Sequence, residues 1–178
     1  SRAIIEKLMF YSQLQNDQQT QFDLSELCRD TLDFFQVQLA QLNITVERKL
    51  EPNCLVLGSI QEIQQLLTNI LMNAKESYAE FEQQAPKCIW VQCRVVTNSV
   101  ELSVIDQGCG VSPESLPRAF EPFYTTKVIG QNTGLGLSVS LEVAQRHAGS
   151  LELVSLKAPA RTMARLIIPL DQLTKSVP

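Results

Sequence analysis

Residues 106–137 constrain the chain more than any other stretch. Asp106-Gln107-Gly108-Cys109-Gly110 opens it, Phe120-Glu121-Pro122-Phe123-Tyr124-Thr125-Thr126-Lys127 fills its middle, and Asn132-Thr133-Gly134-Leu135-Gly136-Leu137 closes it. Two glycine pairs bracket a segment rich in Pro, Thr and Gly with little apolar periodicity, which is the pattern of a lid over a ligand. Gly108 and Gly110 let backbone come close to a bound ring. Gly134 and Gly136 stand just before the apolar run 137–143 and present free amides at a helix N-terminus, where phosphate binds. Either pair alone reads as an ordinary turn. Their order, and an asparagine pair upstream, weigh against that.

The 178 residues suffice for one well-buried domain with a helical appendage. Hydrophobic content of 44% and charged content of 19% are those of a soluble globular protein. A net charge of −4 argues against a general nucleic-acid binder and leaves room for a local basic site for one nucleotide. The five cysteines are odd in number and never spaced C-x-x-C, and there is a single histidine. Free thiols in a reducing, cytoplasmic compartment are therefore expected in place of disulfides or zinc. No run of 18 apolar residues and no signal-peptide pattern occurs.

Taken in order, residues 3–14 carry Ile4, Ile5, Leu8, Met9, Tyr11 and Leu14, a helical stripe without a neighbouring partner helix. The chain thus reads as a piece of something longer. Residues 15–21 are polar and read as a linker. Asp23 and Glu26 are spaced as a capping box before a helix whose core face carries Leu24, Leu27, Cys28, Thr31, Leu32, Phe35, Leu39 and Leu42. Strands follow at 44–49 and 55–57, then a helix from Ser59 to Phe81, again with a capping-box spacing at Ser59 and Glu62 and with a core stripe of Ile60, Ile63, Leu67, Ile70, Leu71, Ala74 and Tyr78. Asn69 and Asn73 lie one above the other on this helix. Asparagine is a poor interior helix residue, about 0.6 kcal/mol worse than alanine. The pair is either a solvated flank or two amide oxygens aimed at a cation or phosphate.

A hairpin at 89–105 delivers Asp106 at its end. That carboxylate is either a turn former or, beside two glycines, an acceptor for an exocyclic amine such as adenine's. A helix at 137–147 and a hairpin of 151–156 with 163–168 complete an α+β fold: helices on one face of a mixed sheet.

In this order the motifs become recognisable. Asn69-Ile70-Leu71-Met72-Asn73-Ala74 resembles an N box, Asp106-x-Gly108-x-Gly110 a first glycine box, Phe120-Glu121-Pro122-Phe123 an F box, and Gly134-Leu135-Gly136-Leu137 a second glycine box. Together they resemble the catalytic, ATP-binding domain of a sensor histidine kinase, in the wider family of gyrase, heat-shock-protein-90, histidine-kinase and MutL type ATPases. The F-box version is most similar to the nitrogen-sensor-like subgroup. The resemblance covers about 22–170 and implies a Bergerat-type two-layer sandwich. It implies that 1–21 is the end of the second dimerisation helix plus linker and that 22–178 is the catalytic domain.

Residue by residue, the resemblance implies that Asp106 accepts the adenine amine and that Gly108 and Gly110 shape the base pocket. Asn73, with Asn69, would coordinate Mg²⁺. Lys127 and the amides around Gly134, Leu135 and Gly136 would hold the phosphates of ATP, with Phe120, Thr133, Leu137 and Thr162 also at the nucleotide. Asn69 stands where related ATPases carry a water-activating glutamate, and an amide cannot take that proton. Transfer to a protein acceptor is favoured over hydrolysis. Partners implied are the chain's own dimerisation domain, a homodimeric partner copy and a response-regulator receiver domain. Glu76, where many relatives have a base, leaves an alternative open: a nucleotide-binding scaffold module without phosphotransfer. His147, at a helix C-terminus, reads as a cation complementing the helix dipole and not as the phosphoacceptor.

Overall fold

The computed structural model describes residues 18–79, 86–126, 133–156 and 161–171. In chain order the elements are β1 (Thr20–Asp23), α1 (Leu24–Gln41), β2 (Ile44–Leu50), β3 (Leu55–Gly58), α2 (Ile60–Glu76), β4 (Lys87–Val96), β5 (Ser99–Asp106), a 3₁₀ turn (Leu116–Arg118), α3 (Gly136–Arg146), β6 (Ser150–Leu156) and β7 (Arg161–Pro169). Five strands form one sheet in the order β2-β4-β5-β7-β6. β2 runs parallel to β4, because β3 and α2 intervene and form a crossover; every other pair is antiparallel. The expected mixed, mainly antiparallel sheet is thus present.

The three helices cover one face of that sheet. Leu32, Ile63, Leu66, Leu67 and Ile70 from the helices pack against Ile89, Val91, Leu102, Leu166 and Ile168 from alternate strand positions, all of them buried. On the other face, Trp90, Ile105, Met163 and Val154 are successive register partners and are half-buried. The Arg161 guanidinium sits over the Trp90 ring, 5.1 Å from its centroid. All five cysteines are free, and only Cys109 is exposed. Burial pushes the Cys54 thiol up to about 12, and the hydrogen bond that the Cys93 thiol donates to Cys28, together with burial, raises that of Cys93. These core thiols stay protonated and pack as small apolar groups. Among the described residues, no helix is long and apolar enough to cross a membrane.

Both N-caps form, but neither completes a capping box. Asp23 accepts the N–H of Ser25 at 2.9 Å and that of Asn53 at 2.9 Å, so it caps α1 and tethers the 51–54 turn, without Glu26. Ser59 Oγ accepts the N–H of Glu62 at 3.2 Å. The return bond is missing because Glu62 pairs with Arg146 at 3.1 Å, and the Ser59 N–H is taken by His147 Nε2 at 3.0 Å. His147 Nδ1 lies 2.8 Å from the Val143 carbonyl, to which it donates. An Nε2 that accepts belongs to the neutral tautomer. The expected dipole-capping cation is therefore a buried clasp between the start of α2 and the end of α3.

Three further differences have local causes. Thr20 and Gln21, read as linker, join β1 and pair with Gly58 and Leu57 of β3; Gln21 also donates to Asp171 at 2.7 Å. α2 stops at Glu76, short of the expected Phe81, because Ser77 and Tyr78 spend their polar groups on tertiary partners. Tyr78 donates to the Cys88 carbonyl at 2.6 Å and accepts from the Gln107 N–H at 2.8 Å. Two expected core positions differ: Ile60, at the start of α2, is 37% exposed and Leu66 fills its stripe instead, and Leu42, the C-cap of α1, is 47% exposed. The expected N-terminal helix of 3–14 lies outside the described residues.

Candidate functional site

A cavity of about 620 Å³ opens between the C-terminal half of α2, the end of β5, the segment 109–126 and the first turn of α3. That volume lies within the usual range for small-molecule sites. It runs along one face of α2. Asn69, Asn73 and Ser77, at i, i+4 and i+8, all line it. At 1.5 Å per residue the face extends about 12 Å from Asn69 to Ser77.

Asp106 lies at the Ser77 end. It ends β5, directly opposite Thr162 of β7 in the register, and is 5% exposed. Ser77 Oγ donates to its Oδ1 at 2.7 Å and the Gly108 N–H donates to the same oxygen at 2.9 Å. Burial raises its carboxyl above the ordinary range, and these two bonds pull it partly back. Burial likewise raises the neighbouring Tyr78 phenol.

At the other end, Asn69 Nδ2 donates to the Gly136 carbonyl at 3.3 Å and to Ser140 Oγ at 3.2 Å. The amide is thereby oriented by the first turn of α3, and its oxygen is turned away from that helix. Gly134 (φ +67°) and Phe123 (φ 67°) meet backbone to backbone, with the Phe123 N–H donating to the Gly134 carbonyl at 3.0 Å. This ties the Phe123 backbone to the second glycine pair. Tyr124 lines the cavity, donates to Ser115 Oγ at 2.9 Å and carries Arg118 over its ring at 4.3 Å.

A side chain on Gly134 would put its Cβ 2.6 Å from the Phe123 carbonyl carbon and would hold an L-residue at positive φ, which costs about 1–2 kcal/mol. Gly134→Ala is expected to lower nucleotide affinity about 10- to 100-fold. Its melting temperature should fall by only a few degrees, as a cost of about 1–2 kcal/mol implies for a domain of this size. Calorimetric titration with ADP beside a thermal melt checks this; unchanged affinity would remove the Phe123–Gly134 contact from the site.

Of the residues expected from sequence, Asn69, Asn73, Asp106, Gly110, Thr133, Gly134, Gly136, Leu137 and Thr162 all line the one cavity. Gly108 does not line it. A Cβ there would overlap Ser77, so glycine is needed for packing against the end of α2. Leu135 is buried in the core and Phe120 packs against it. Lys127 lies outside the described residues. Sequence reasoning assigned no role to Ser77 or Tyr124. Ser77 was signalled by its place four residues after Asn73 on the same face, and Tyr124 only by its neighbourhood in the F-box run.

Residues 58–172 match the model of the family described as histidine kinase-, DNA gyrase B-, and HSP90-like ATPase. The chain is 29% identical over 170 residues to the signal transduction histidine-protein kinase AtoS of Escherichia coli, a match that covers 94% of this chain and 27% of AtoS. It is 26% identical to the catalytic domain of histidine kinase ThkA, with a TM-score of 0.71 over 85% of this chain and 95% of that one. Histidine kinase ThkA solved in complex with response regulator protein TrrA shares the fold at a TM-score of 0.76, with 23% identity over 96% of this chain and 47% of that one. The chain spans 18–27% of the length of the first relatives it matches. The family model covers well over half of the chain, and the chain belongs to the family of histidine kinase-, DNA gyrase B- and HSP90-like ATPases.

Proposed function

We propose that the chain is the ATP-binding catalytic domain of a two-component sensor histidine kinase, and that it delivers the γ-phosphoryl group of Mg-ATP to a histidine on a dimerisation domain. The observation that carries this reading is the polarity of the cavity along α2. A buried carboxylate stands at one end, and an oriented amide with a helix N-terminus stands at the other. A base with an exocyclic amine suits the first end and phosphates suit the second.

In this reading Asp106 accepts the adenine amine through the oxygen that Ser77 and Gly108 leave open. The amides at the start of α3, with Lys127 from the lid, hold the phosphate chain. Asn69 and Asn73 offer neutral oxygens, a donor set that fits Mg²⁺, which binds few protein ligands alongside phosphate and water. Held there, the ion would supply charge neutralisation to the phosphates. The protein otherwise positions and stabilises, without covalent chemistry of its own. Asn69 cannot deprotonate water, which favours a protein acceptor. His147 is unsuited to that role, since it is buried with both ring nitrogens engaged. The acceptor then belongs to a dimerisation domain whose second helix ends within 1–21, in a homodimer that passes phosphate to a response-regulator receiver domain. Five free cysteines suit a cytoplasmic setting.

Calorimetric titration with ATP and ADP, each with and without Mg²⁺, tests the reading. Micromolar to sub-millimolar binding is expected. In Asn73→Ala the Mg²⁺-dependent gain should disappear while Mg²⁺-free ADP binding stays within about threefold. Absence of binding at millimolar nucleotide removes the proposal. Binding without transfer to a supplied dimerisation domain leaves the scaffold role.

A further inference from the structure

α2 ends where the cavity begins, and Ser77 is the residue at that junction. It is the C-cap of α2. Its hydroxyl lies 2.7 Å from Asp106 Oδ1 and 2.7 Å from the Ala74 carbonyl. Its own carbonyl accepts the Cys109 N–H at 2.8 Å. A side chain on Gly108 would overlap the Ser77 hydroxyl and Cβ. The turn 106–109 is therefore moulded around one serine.

A hydroxyl has a single proton, and this one has two acceptors. An ionised carboxylate is the stronger, because a charge-assisted hydrogen bond is about twice as strong as a neutral one. The Ser77 hydroxyl and the Gly108 N–H converge on Oδ1, which fixes the plane of the carboxylate and leaves Oδ2 as the oxygen for a ligand. We infer that Ser77 is a positioning residue of the site: its hydroxyl holds the Asp106 carboxylate with Oδ1 occupied and Oδ2 presented to the exocyclic amine of the base. The inference rests on the nucleotide reading above and adds to it the group that orients the base acceptor.

The grip has a signature that simple packing lacks. A donor to the charged form of a buried acid favours ionisation, so its removal moves the acid's titration upward. Among the described residues, the other titratable groups near Asp106 or lining the same cavity are Tyr78 at the end of α2, Glu76, Cys109 and Tyr124. Its register partners on β4 and β7, Ile89 and Thr162, carry no charge. Selective ¹³C labelling of aspartate separates Asp106 from Glu76, and the signal lost in Asp106→Asn identifies it.

The test compares the wild type, Ser77→Ala and Ser77→Thr by two readouts: ADP affinity by calorimetry, and the Asp106 carboxyl titration by NMR without nucleotide. Ser77→Ala should weaken ADP binding about tenfold or more and move the Asp106 midpoint upward. Ser77→Thr, which keeps the hydroxyl, should restore both toward the wild type. Thermal melts establish that each variant is folded. An unmoved midpoint in Ser77→Ala overturns the inference even where affinity falls, since lost packing alone would lower affinity. A wild type that binds no ADP overturns the nucleotide reading and the ligand role of Oδ2 with it. The carboxyl titration would still decide whether Ser77 holds Asp106.

Discussion

Asp106→Asn is expected to lose nucleotide binding by about 100-fold or more while the folded domain becomes no less stable at neutral pH. The two halves of that expectation come from one geometry. An asparagine oxygen can take the place of Oδ1 and accept from Ser77 and Gly108, so the turn is kept. The amide nitrogen then stands where Oδ2 stood. It is a donor facing the exocyclic amine, another donor, in a site 5% exposed to water. A lost charge-assisted bond and two opposed donors add in the same direction.

The stability half follows from the direction in which burial shifts the acid. Burial raises the folded-state pKa of Asp106 above its unfolded value, despite the two hydrogen bonds. The folded state therefore holds this proton more tightly than the unfolded chain. The stabilising contribution is complete below the unfolded value of about 3.9 and is lost as pH rises through the raised folded value. Above that window the buried charge opposes folding, and the neutral amide removes the opposition. Melting temperatures at pH 7.5 should place Asp106→Asn at or above the wild type, with the gap closing toward pH 4. A variant that binds ADP within threefold of the wild type would mean that the base does not sit at Asp106. A lower melting temperature at pH 7.5 would mean that the carboxylate stabilises the apo fold.

Much of this site was legible because its signals are local. Asn69 and Asn73 are four apart on a helix whose apolar rhythm is plain, and the glycine pairs flank a run without periodicity. The β4–β5 hairpin places Asp106 by counting alone. What was not legible depends on partners remote in sequence. Thr20-Gln21 has no strand pattern of its own and becomes β1 only through β3 and the bond from Gln21 to Asp171. The end of α2 at Glu76 is set by Asp106, Gln107 and Cys88, reached by Ser77 and Tyr78. Gly108 was assigned to the ligand, and the sequence carried no sign that it is also required by a serine 31 positions earlier. A glycine signals close approach; which neighbour approaches is a tertiary fact.

The same dependence on remote partners makes the second large effect one of stability. Gly58 lies against the ring of His147, and an added Cβ would overlap Cδ2 and Nε2. In Gly58→Ala the imidazole must leave its seat. The Ser59 N–H then loses its acceptor, and the start of α2 parts from the end of α3. Overpacking plus an unsatisfied buried N–H should cost about 3–5 kcal/mol. His147→Ala alone, which leaves a cavity and the same orphaned N–H, should cost about 2–4 kcal/mol. If the ring is what the new methyl meets, the double variant should be no less stable than His147→Ala, because the methyl then occupies vacated space. The non-additivity expected is about 2 kcal/mol or more in urea unfolding, far beyond that of independent sites. Additive losses would show that Gly58 matters for its backbone and not for the histidine. The clasp also bears on function, since α2 carries both asparagines and α3 begins at the second glycine pair. ADP affinity in Gly58→Ala should therefore fall with stability, and both should recover together toward the His147→Ala values in the double variant.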